Sequence, residues 1–216
     1  MSDQKLVPAR EARHEIRVLN SCFIATAGPA ATLDDAKALL ARVRREFPDA
    51  THHVPAFVIG HGNSVLTHCH DDGEPSGTAG RPALAVLQGS GLGDVAVVVT
   101  RFYGGTKLGT GGLVRAYGDA VRGVLEVLPR ARKIATHKIV FCIPYAGFER
   151  IRKLVTAHHG QLLSQDFGAE VAMTVLIPVD NFDEFQGSLQ NATNGSIRIE
   201  IKETNPNTLL PLESPR

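Results

Sequence analysis

Two glycine-rich segments hold the residues of this chain that are best suited to bind an anion. The first, DDGEPSGTAGRP (Asp71 to Pro82), places three carboxylates, three glycines and two prolines before a predicted helix. The second is RFYGGTKLGTGGLVRAYG (Arg101 to Gly118) and also leads into a helix. Backbone N–H groups at a helix N-terminus are open to an anion at the positive end of the helix dipole. Both segments therefore predict contacts to a phosphate or a similar group.

Side chains of the two segments strengthen this prediction. They supply several cations, and Tyr103 offers a ring that can stack on an exposed base. The predicted phosphate- or RNA-binding residues are Arg81, Arg101, Tyr103, Gly104, Gly105, Lys107, Gly109, Thr110, Gly111, Gly112 and Arg115. The alternative is that the glycines serve only tight turns and close packing.

Acidic residues offset these cations. The stretch that spans both segments holds four basic and four acidic residues, whereas a groove that neutralises phosphates would carry an excess of cations. Three interpretations of Asp71, Asp72 and Glu74 stay open. They bind Mg²⁺ beside a phosphate, they pair with Arg81 or Arg115 and hold the loops, or they form a solvated turn.

Other patterns of reactive residues are weaker. His68 and His70 could share one face of a strand, but Cys69 would point to the other face, and no second cluster of zinc ligands follows. Ser76 does not lie in a GxSxG motif. No catalytic residue and no confident metal site are therefore predicted.

The composition limits the classes of protein that this chain can be. Its 216 residues are 43% hydrophobic, and 23 basic and 22 acidic side chains give a formal net charge of +1. A buried core is expected, and no global field favours nucleic acid or an anionic membrane. Three widely separated cysteines disfavour a disulfide framework. A charged start and the lack of a long apolar segment predict a cytoplasmic protein without a membrane segment.

Hydrophobic periodicity predicts the elements that position the two segments. They are a strand within Ile16 to Ala27, a helix capped by Thr32, a hairpin of Val54 to Gly60 with Asn63 to His68, a helix from Pro82, a buried strand from Asp94 to Arg101, and a helix capped by Thr110 that ends near Leu128.

The second half of the chain predicts a separate domain. After a linker at Pro129 to His137, the elements follow the order βαββαβ, which is typical of a ferredoxin-like fold. We therefore predict an α+β protein with an N-terminal domain over residues 1–133 and a ferredoxin-like C-terminal domain over residues 134–216. Residues before about Arg13 and after about Thr204 are predicted to be frayed tails.

The two motifs also resemble a known family. DDGEPSGTAGRP followed by RFYGGTKLGTGGLVRAYGDAV is similar to the paired signature of the YigZ/IMPACT family, and SCFIA and THHVPAFVIG extend the match over most of residues 17–128. One departure is Cys22, because the family usually has a basic residue just before the Phe of the first strand, here Phe23. If that basic side chain contacts a phosphate, one contact is missing here.

The resemblance implies both a fold and a cellular role. The N-terminal domain would have the βαβ-based fold of a small-subunit ribosomal protein, the GHMP kinases and the fourth domain of the ribosomal translocase. The C-terminal domain would resemble the fifth domain of that translocase. Eukaryotic relatives are implied to regulate translation under stress by binding a ribosome-associated activator of a stress kinase. They carry a different extra domain, so that partner is not transferred to this chain.

Two function classes compete, and a third role is open to the second domain. The leading hypothesis is a non-enzymatic, translation-associated protein that binds RNA or a ribosomal surface through the glycine-rich segments. The alternative is a phosphate- or nucleotide-binding small-molecule enzyme that uses the same cleft with Mg²⁺. The ferredoxin-like domain, with six basic and seven acidic residues from His137 to Lys202, could serve as a protein-interaction module. The oligomeric state is not predicted.

Overall fold

The computed structural model describes residues 5–62 and 64–212. The strands are β1 (Lys5–Pro8), β2 (Ala12–Val18), β3 (Ser21–Pro29), β4 (His52–His61), β5 (Ser64–Cys69), β6 (Val95–Phe102), β7 (Arg130–Ile143), β8 (Gln161–Phe167), β9 (Val171–Pro178) and β10 (Glu200–Pro211). The helices are α1 (Leu33–Glu46), α2 (Gly80–Gly89), α3 (Gly109–Val127), α4 (Phe148–Ala157) and α5 (Phe182–Ala192). The α+β fold class is confirmed.

The chain forms two compact units. The first unit contains residues up to Arg132 together with those from Leu209, and the second unit contains Lys133–Thr208. The first unit is built on a five-stranded sheet of order β2-β3-β6-β4-β5. Strands β3 and β4 both run antiparallel to β6, so they are parallel to each other and α1 connects them as a βαβ crossover.

Alternating side chains give the first sheet two buried faces. Val95, Val97 and Val99 pack against α2 and α3, while Ala96 and Val98 pack against α1. The valine-rich run of β6 is therefore covered on both sides, as its continuous apolar pattern predicts. Helix α1 begins as predicted, because Thr32 and Asp35 form a capping box.

The N-terminal part of the chain is more ordered than the sequence pattern predicts. The prediction that the segment before Arg13 is frayed is wrong for the described residues, because β1 and the start of β2 lie there. The single strand within residues 16–27 is instead the hairpin of β2 and β3, whose turn places Leu19 at a φ of 51°. Periodicity missed the turn because the strand pattern continues on both sides of it.

The second unit has the predicted order of elements. Strand β7, helix α4, strands β8 and β9, helix α5 and strand β10 follow each other as βαββαβ. In its sheet, β9 lies between β7 and β8, and β10 pairs with β7. Helices α4 and α5 supply Ile151, Val155, Phe185 and Leu189 to its core.

The C-terminal tail departs from the prediction. Residues after Thr204 continue β10 as far as Pro211, and the amide of Leu212 donates to the carbonyl of Arg130. The predicted frayed tail is therefore wrong up to residue 212, because backbone pairing holds a segment whose composition is typical of a loop. The predicted tail residues 1–4 and 213–216, and Asn63 of the predicted hairpin, lie outside the described residues.

Candidate functional site

The sheet register brings the two glycine-rich segments to the same end of the first unit. Arg101, at the end of β6, lies opposite His52 at the start of β4. Cys69, at the end of β5, lies opposite Ala56 on β4, and the following loop reaches back to the end of β6 through Glu74. Helices α2 and α3 both begin on this side. The two segments therefore form neighbouring parts of one surface.

Glu74 joins the two segments. Its carboxylate, 8% exposed as a residue, accepts a hydrogen bond from Arg101 Nη1 at 2.6 Å and another from Tyr117 Oη at 2.8 Å, both at Oε1. His52 Nε2 lies 3.8 Å from the same oxygen. One buried anion thus connects the first loop to β6, α3 and β4.

Arg101 does not have the predicted role of an exposed phosphate ligand. The residue is only 4% exposed. Besides Glu74, its guanidinium donates to Ser21 Oγ at 3.4 Å and lies over the rings of Phe23 and Tyr103, 5.3 and 5.4 Å from their centroids. The predicted contact to RNA is corrected to an internal one, because a buried guanidinium needs the Glu74 carboxylate and aromatic faces as partners.

Tyr117 completes this buried cluster. It is fully buried and packs edge-to-face on Phe23, with ring centroids 5.2 Å apart. Burial, and then the charge of Glu74, raise the pKa of the Tyr117 hydroxyl far above its usual range. The hydroxyl therefore stays protonated and acts as a hydrogen-bond donor to Glu74.

Asp71 organises the N-terminus of α2. Its carboxylate accepts backbone N–H groups of Gly77 at 2.8 Å, Ala79 at 3.1 Å and Gly80 at 2.8 Å. Burial alone would raise the pKa of this carboxyl, but the three N–H donors, together with His70, outweigh it and lower the pKa. Asp71 therefore caps the helix from outside it, since Ala79 at the N-cap has no side-chain hydrogen bond.

Asp72 ties the first loop to α1 and β4. Its carboxylate accepts Arg44 Nη2 at 2.6 Å and the amide of His53 at 2.6 Å, and its carbonyl oxygen lies 2.7 Å from His52 Nδ1. Burial lowers the pKa of the His53 imidazole, against the opposing effect of a hydrogen bond to the Phe47 carbonyl.

The three acidic side chains thus have partners inside the protein. The interpretation that they hold the loops is the one that fits, but their partners are Arg44, Arg101 and backbone amides rather than Arg81 or Arg115. Among residues 5–62 and 64–212, no three histidine, cysteine, aspartate or glutamate residues lie close enough to hold a metal ion together.

Three predicted cations remain at the surface. Arg81, Lys107 and Arg115 are exposed, and within the described residues none of them has an ion pair or a side-chain hydrogen bond. Tyr103 is 45% exposed, and its amide is held by Thr51 Oγ1 at 3.1 Å. The four-to-four charge balance of the sequence is therefore misleading, because the carboxylates are engaged internally while three of the four cations face solvent.

The glycines of the second segment differ in what a side chain would meet at each position. Gly104 is required for packing, since a Cβ there would lie 1.9 Å from the carbonyl oxygen of Asn20. Gly105 and Gly109 have φ values of +81° and +70°, so their backbone conformation explains them. Gly111 has neither reason, because a Cβ there would meet nothing within 4 Å. Gly112 is intermediate, since a Cβ there would lie 3.1 Å from the Cβ of Leu108.

Helix α3 begins earlier than predicted. Its first residue is Gly109 and its N-cap is Leu108, which makes no side-chain capping hydrogen bond. Thr110 therefore lies within the first turn and is not the cap. The first turn is exposed at Gly109, Thr110 and Gly111.

Sequence reasoning missed the partners that hold this surface together. Ser21 Oγ accepts the amide of Gly104 at 3.3 Å, while Arg44 and His52 anchor the first loop. These residues lie far from the motifs in sequence, so spacing gives no signal for them. Tyr117 does give a signal, because a hydroxyl within the apolar stripe of a helix requires a buried partner.

Several minor predictions can also be compared with the structure. His68 and His70 line one cavity, while Cys69 packs on the opposite core, as the alternation of a strand requires. Cys22, Cys69 and Cys142 are free thiols. Cys22 pairs in register with Phe102 and Arg17, and burial, followed by Glu15, raises the pKa of its thiol. Over the described part of the chain, no helix combines the length and apolarity needed to cross a membrane.

The fold and the shared glycine-rich surface define a class of two-domain α+β proteins. The Impact N-terminal domain family matches residues 19–125, and a domain of unknown function, DUF1949, matches residues 142–196. The chain belongs to the IMPACT family, as the resemblance of its motifs indicates.

Relatives cover nearly the whole chain. It is 37% identical to the Escherichia coli IMPACT family member YigZ over 90% of its own length and 96% of that protein. It is 36% identical to an IMPACT family member of Haemophilus influenzae, over 92% of its length and 97% of that protein. A crystal structure of a hypothetical protein shares 36% identity and a TM-score of 0.61, covering 94% of this chain and 99% of that one.

Proposed function

We propose that this IMPACT-family protein is a non-enzymatic regulator of translation that binds RNA or a ribosomal surface through the segment from Tyr103 to Arg115. The observation that carries the proposal is the state of the charges. The carboxylates of the two glycine-rich segments are engaged inside the protein, whereas Arg81, Lys107 and Arg115 are exposed without an anionic partner among the described residues. The role in translation is the one that the family resemblance implies.

The segment offers three kinds of contact to RNA. Lys107 and Arg115 neutralise phosphates, the exposed ring of Tyr103 stacks on an unpaired base, and the first turn of α3 presents backbone N–H groups. Arg101 contributes indirectly, since its guanidinium lies over the Tyr103 ring, 5.4 Å from the ring centroid. This combination favours single-stranded or loop RNA, whose bases are free to stack.

Charge reversal should separate this surface from the rest of the protein. The double variant Lys107→Glu/Arg115→Glu is expected to weaken co-sedimentation with ribosomes or isolated subunits by at least about tenfold. The slope of log affinity against log salt concentration should also become shallower by about two, because two phosphate contacts are lost. The measurement is pelleting of the purified protein at two salt concentrations.

The matched control is Arg10→Glu/Arg45→Glu, which changes the net charge equally at two exposed arginines outside the two segments. It should pellet nearly like the parent protein. If both double variants lost ribosome binding equally, net charge alone would explain the loss. Salt-independent pelleting of the parent protein would contradict the proposal.

Replacing Gly111 with alanine should have opposite effects on stability and binding. Alanine raises helix stability by up to about 1 kcal/mol over glycine, and the added Cβ meets nothing in the chain. If an RNA backbone approaches this turn, the Cβ obstructs it, and ribosome binding should fall severalfold. Gly187→Ala in α5 is the control, because its Cβ also meets nothing. It should stabilise without changing binding; a Gly111→Ala protein that binds like the parent would exclude backbone contact at this turn.

The small-molecule alternative has a clear test. A Mg²⁺-dependent enzyme would need carboxylates that can turn toward the ion, and Asp71, Asp72 and Glu74 would have to leave their present partners. A thermal-shift screen of nucleotides and phosphorylated metabolites with and without Mg²⁺ measures this directly. Large Mg²⁺-dependent stabilisation, with no pelleting of the protein by ribosomes, would favour the enzyme.

A further inference from the structure

Helix α1 has two flanks on the surface of the first sheet, and their chemistry differs. Toward β2, ion pairs close the surface, because Arg13 binds Glu46 at 2.5 Å and Arg42 binds Glu11. Toward β5, a cavity of about 300 Å³ remains open between α1 and the β4–β5 hairpin. We call this cavity and the adjoining face of β5 the α1–β5 groove. It lies on the face of the sheet opposite α2 and α3.

One side of α1 forms the wall of the groove. Leu33, Lys37, Leu40 and Arg44 line it at spacings of three and four residues, so they follow a single ridge of the helix. At 1.5 Å per residue this ridge is about 16 Å long, which matches about three helical turns. A second helix could therefore lie beside α1 along this wall.

The floor of the groove is apolar, and the adjoining face of β5 extends it. Phe57 and Ile59 point toward α1, and the register places His68 opposite Phe57 and Leu66 opposite Ile59. His68 and Leu66 thus share this face. Leu66 is 52% exposed and Leu33 is 40% exposed. Large apolar side chains at both borders of a groove are typical of a protein-binding surface.

The charged groups that line the groove are basic. Lys37 and Arg44 are the cations that border it, and none of its described lining residues is acidic. His68 and His70 add polar imidazole rings, and His70 Nδ1 accepts the amide of Asp72 at 2.9 Å. Arg44 is paired with Asp72 at 2.6 Å, whereas Lys37 has only an exposed contact of 3.8 Å to Asp34, so Lys37 supplies most of the positive charge that is open to a partner. Such a border complements carboxylates and opposes a basic partner.

We propose that the α1–β5 groove binds an amphipathic helix of a partner protein, about three turns long, whose apolar stripe is flanked by aspartate or glutamate. The length follows from the ridge of α1, the apolar stripe from the floor, and the acidic flanks from the basic border. Helix-in-groove recognition of this kind uses anchors at i, i+3, i+4 and i+7. The site is separate from the RNA-binding surface proposed above.

The probe is a fluorescently labelled synthetic helix with a leucine stripe flanked by glutamates. Anisotropy titrations of the full chain are expected to show saturable binding. A lysine-for-glutamate version and a version with the same composition but a scrambled stripe should bind at least about tenfold more weakly.

Variants of the protein locate the site. Leu66→Glu and Leu33→Glu should each weaken binding at least about tenfold, and the first turn of α1 tolerates an acidic residue at Leu33 because of the helix dipole. The matched control is Leu163→Glu, at a 45% exposed leucine on β8, the edge strand of the other sheet. It should bind like the parent. The Lys37→Glu protein should bind the lysine version of the probe more tightly than it binds the glutamate version.

Several outcomes would overturn the proposal. These are no binding of the glutamate probe, equal binding of the lysine probe to the parent protein, and equal effects of Leu66→Glu and Leu163→Glu. Analytical ultracentrifugation is a further check. A dimer of the parent chain that Leu66→Glu dissociates would show that a second copy occupies the groove instead.

Discussion

Replacing Glu74 with alanine is expected to lower the free energy of unfolding of the first unit by about 3–5 kcal/mol. The substitution leaves the buried guanidinium of Arg101 without its carboxylate and the hydroxyl of Tyr117 without its acceptor. Arg101 Nε already has no hydrogen-bond partner among the described residues, so no second anion compensates. Urea denaturation followed by circular dichroism measures the loss, and hydrogen exchange over Val95–Val127 assigns it to the first unit.

Two further variants separate charge from packing. Glu74→Gln keeps an acceptor for Tyr117 but removes the anion, so its loss of stability should be smaller than that of Glu74→Ala. The double variant Glu74→Leu/Arg101→Met removes both charges and should be more stable than Glu74→Leu alone. Additive losses in that double variant would show that the two side chains do not stabilise each other.

Replacing Asp71 with alanine is expected to cost about 2–4 kcal/mol at neutral pH. Three backbone N–H groups, of Gly77, Ala79 and Gly80, lose their acceptor, and the N-terminus of α2 loses its cap. Denaturation of the two proteins side by side measures the difference. Ser76→Ala is a control in the same loop, at an exposed residue with no hydrogen bond among those the structure shows, and it should change stability little.

The effect of Asp71 should depend on pH in one direction. Folding lowers the pKa of this carboxyl below its ordinary value of 3.8. The stability that it contributes is therefore fully present above about pH 4 and is lost as the pH falls through the lower, folded pKa. The difference in unfolding free energy between the parent and Asp71→Ala should narrow from pH 7 to pH 3. A difference that stays constant over this range would show that the ionised carboxylate is not the stabilising form.

Local patterns in the sequence determined most of the secondary structure. The Thr32 capping box, the buried valines of β6 and the βαββαβ order of the second half depend on residues close together in the chain. Periodicity and capping act over one to four residues, so a single sequence contains this information. The two long motifs likewise indicated the family, because their residue types and order are specific.

The sequence alone did not determine what the charged residues of those motifs do. The sequence predicts the same phosphate-binding role for Arg101 and Lys107, yet Arg101 is buried against Glu74 and Lys107 faces solvent. That division depends on the register of β6 with β4 and on where the loop after β5 returns. Burial decides whether a charge stabilises the fold or remains open to a ligand, and burial arises from contacts between residues far apart in the chain. Only the tertiary structure could therefore separate the residues that build the surface from those that are free to bind.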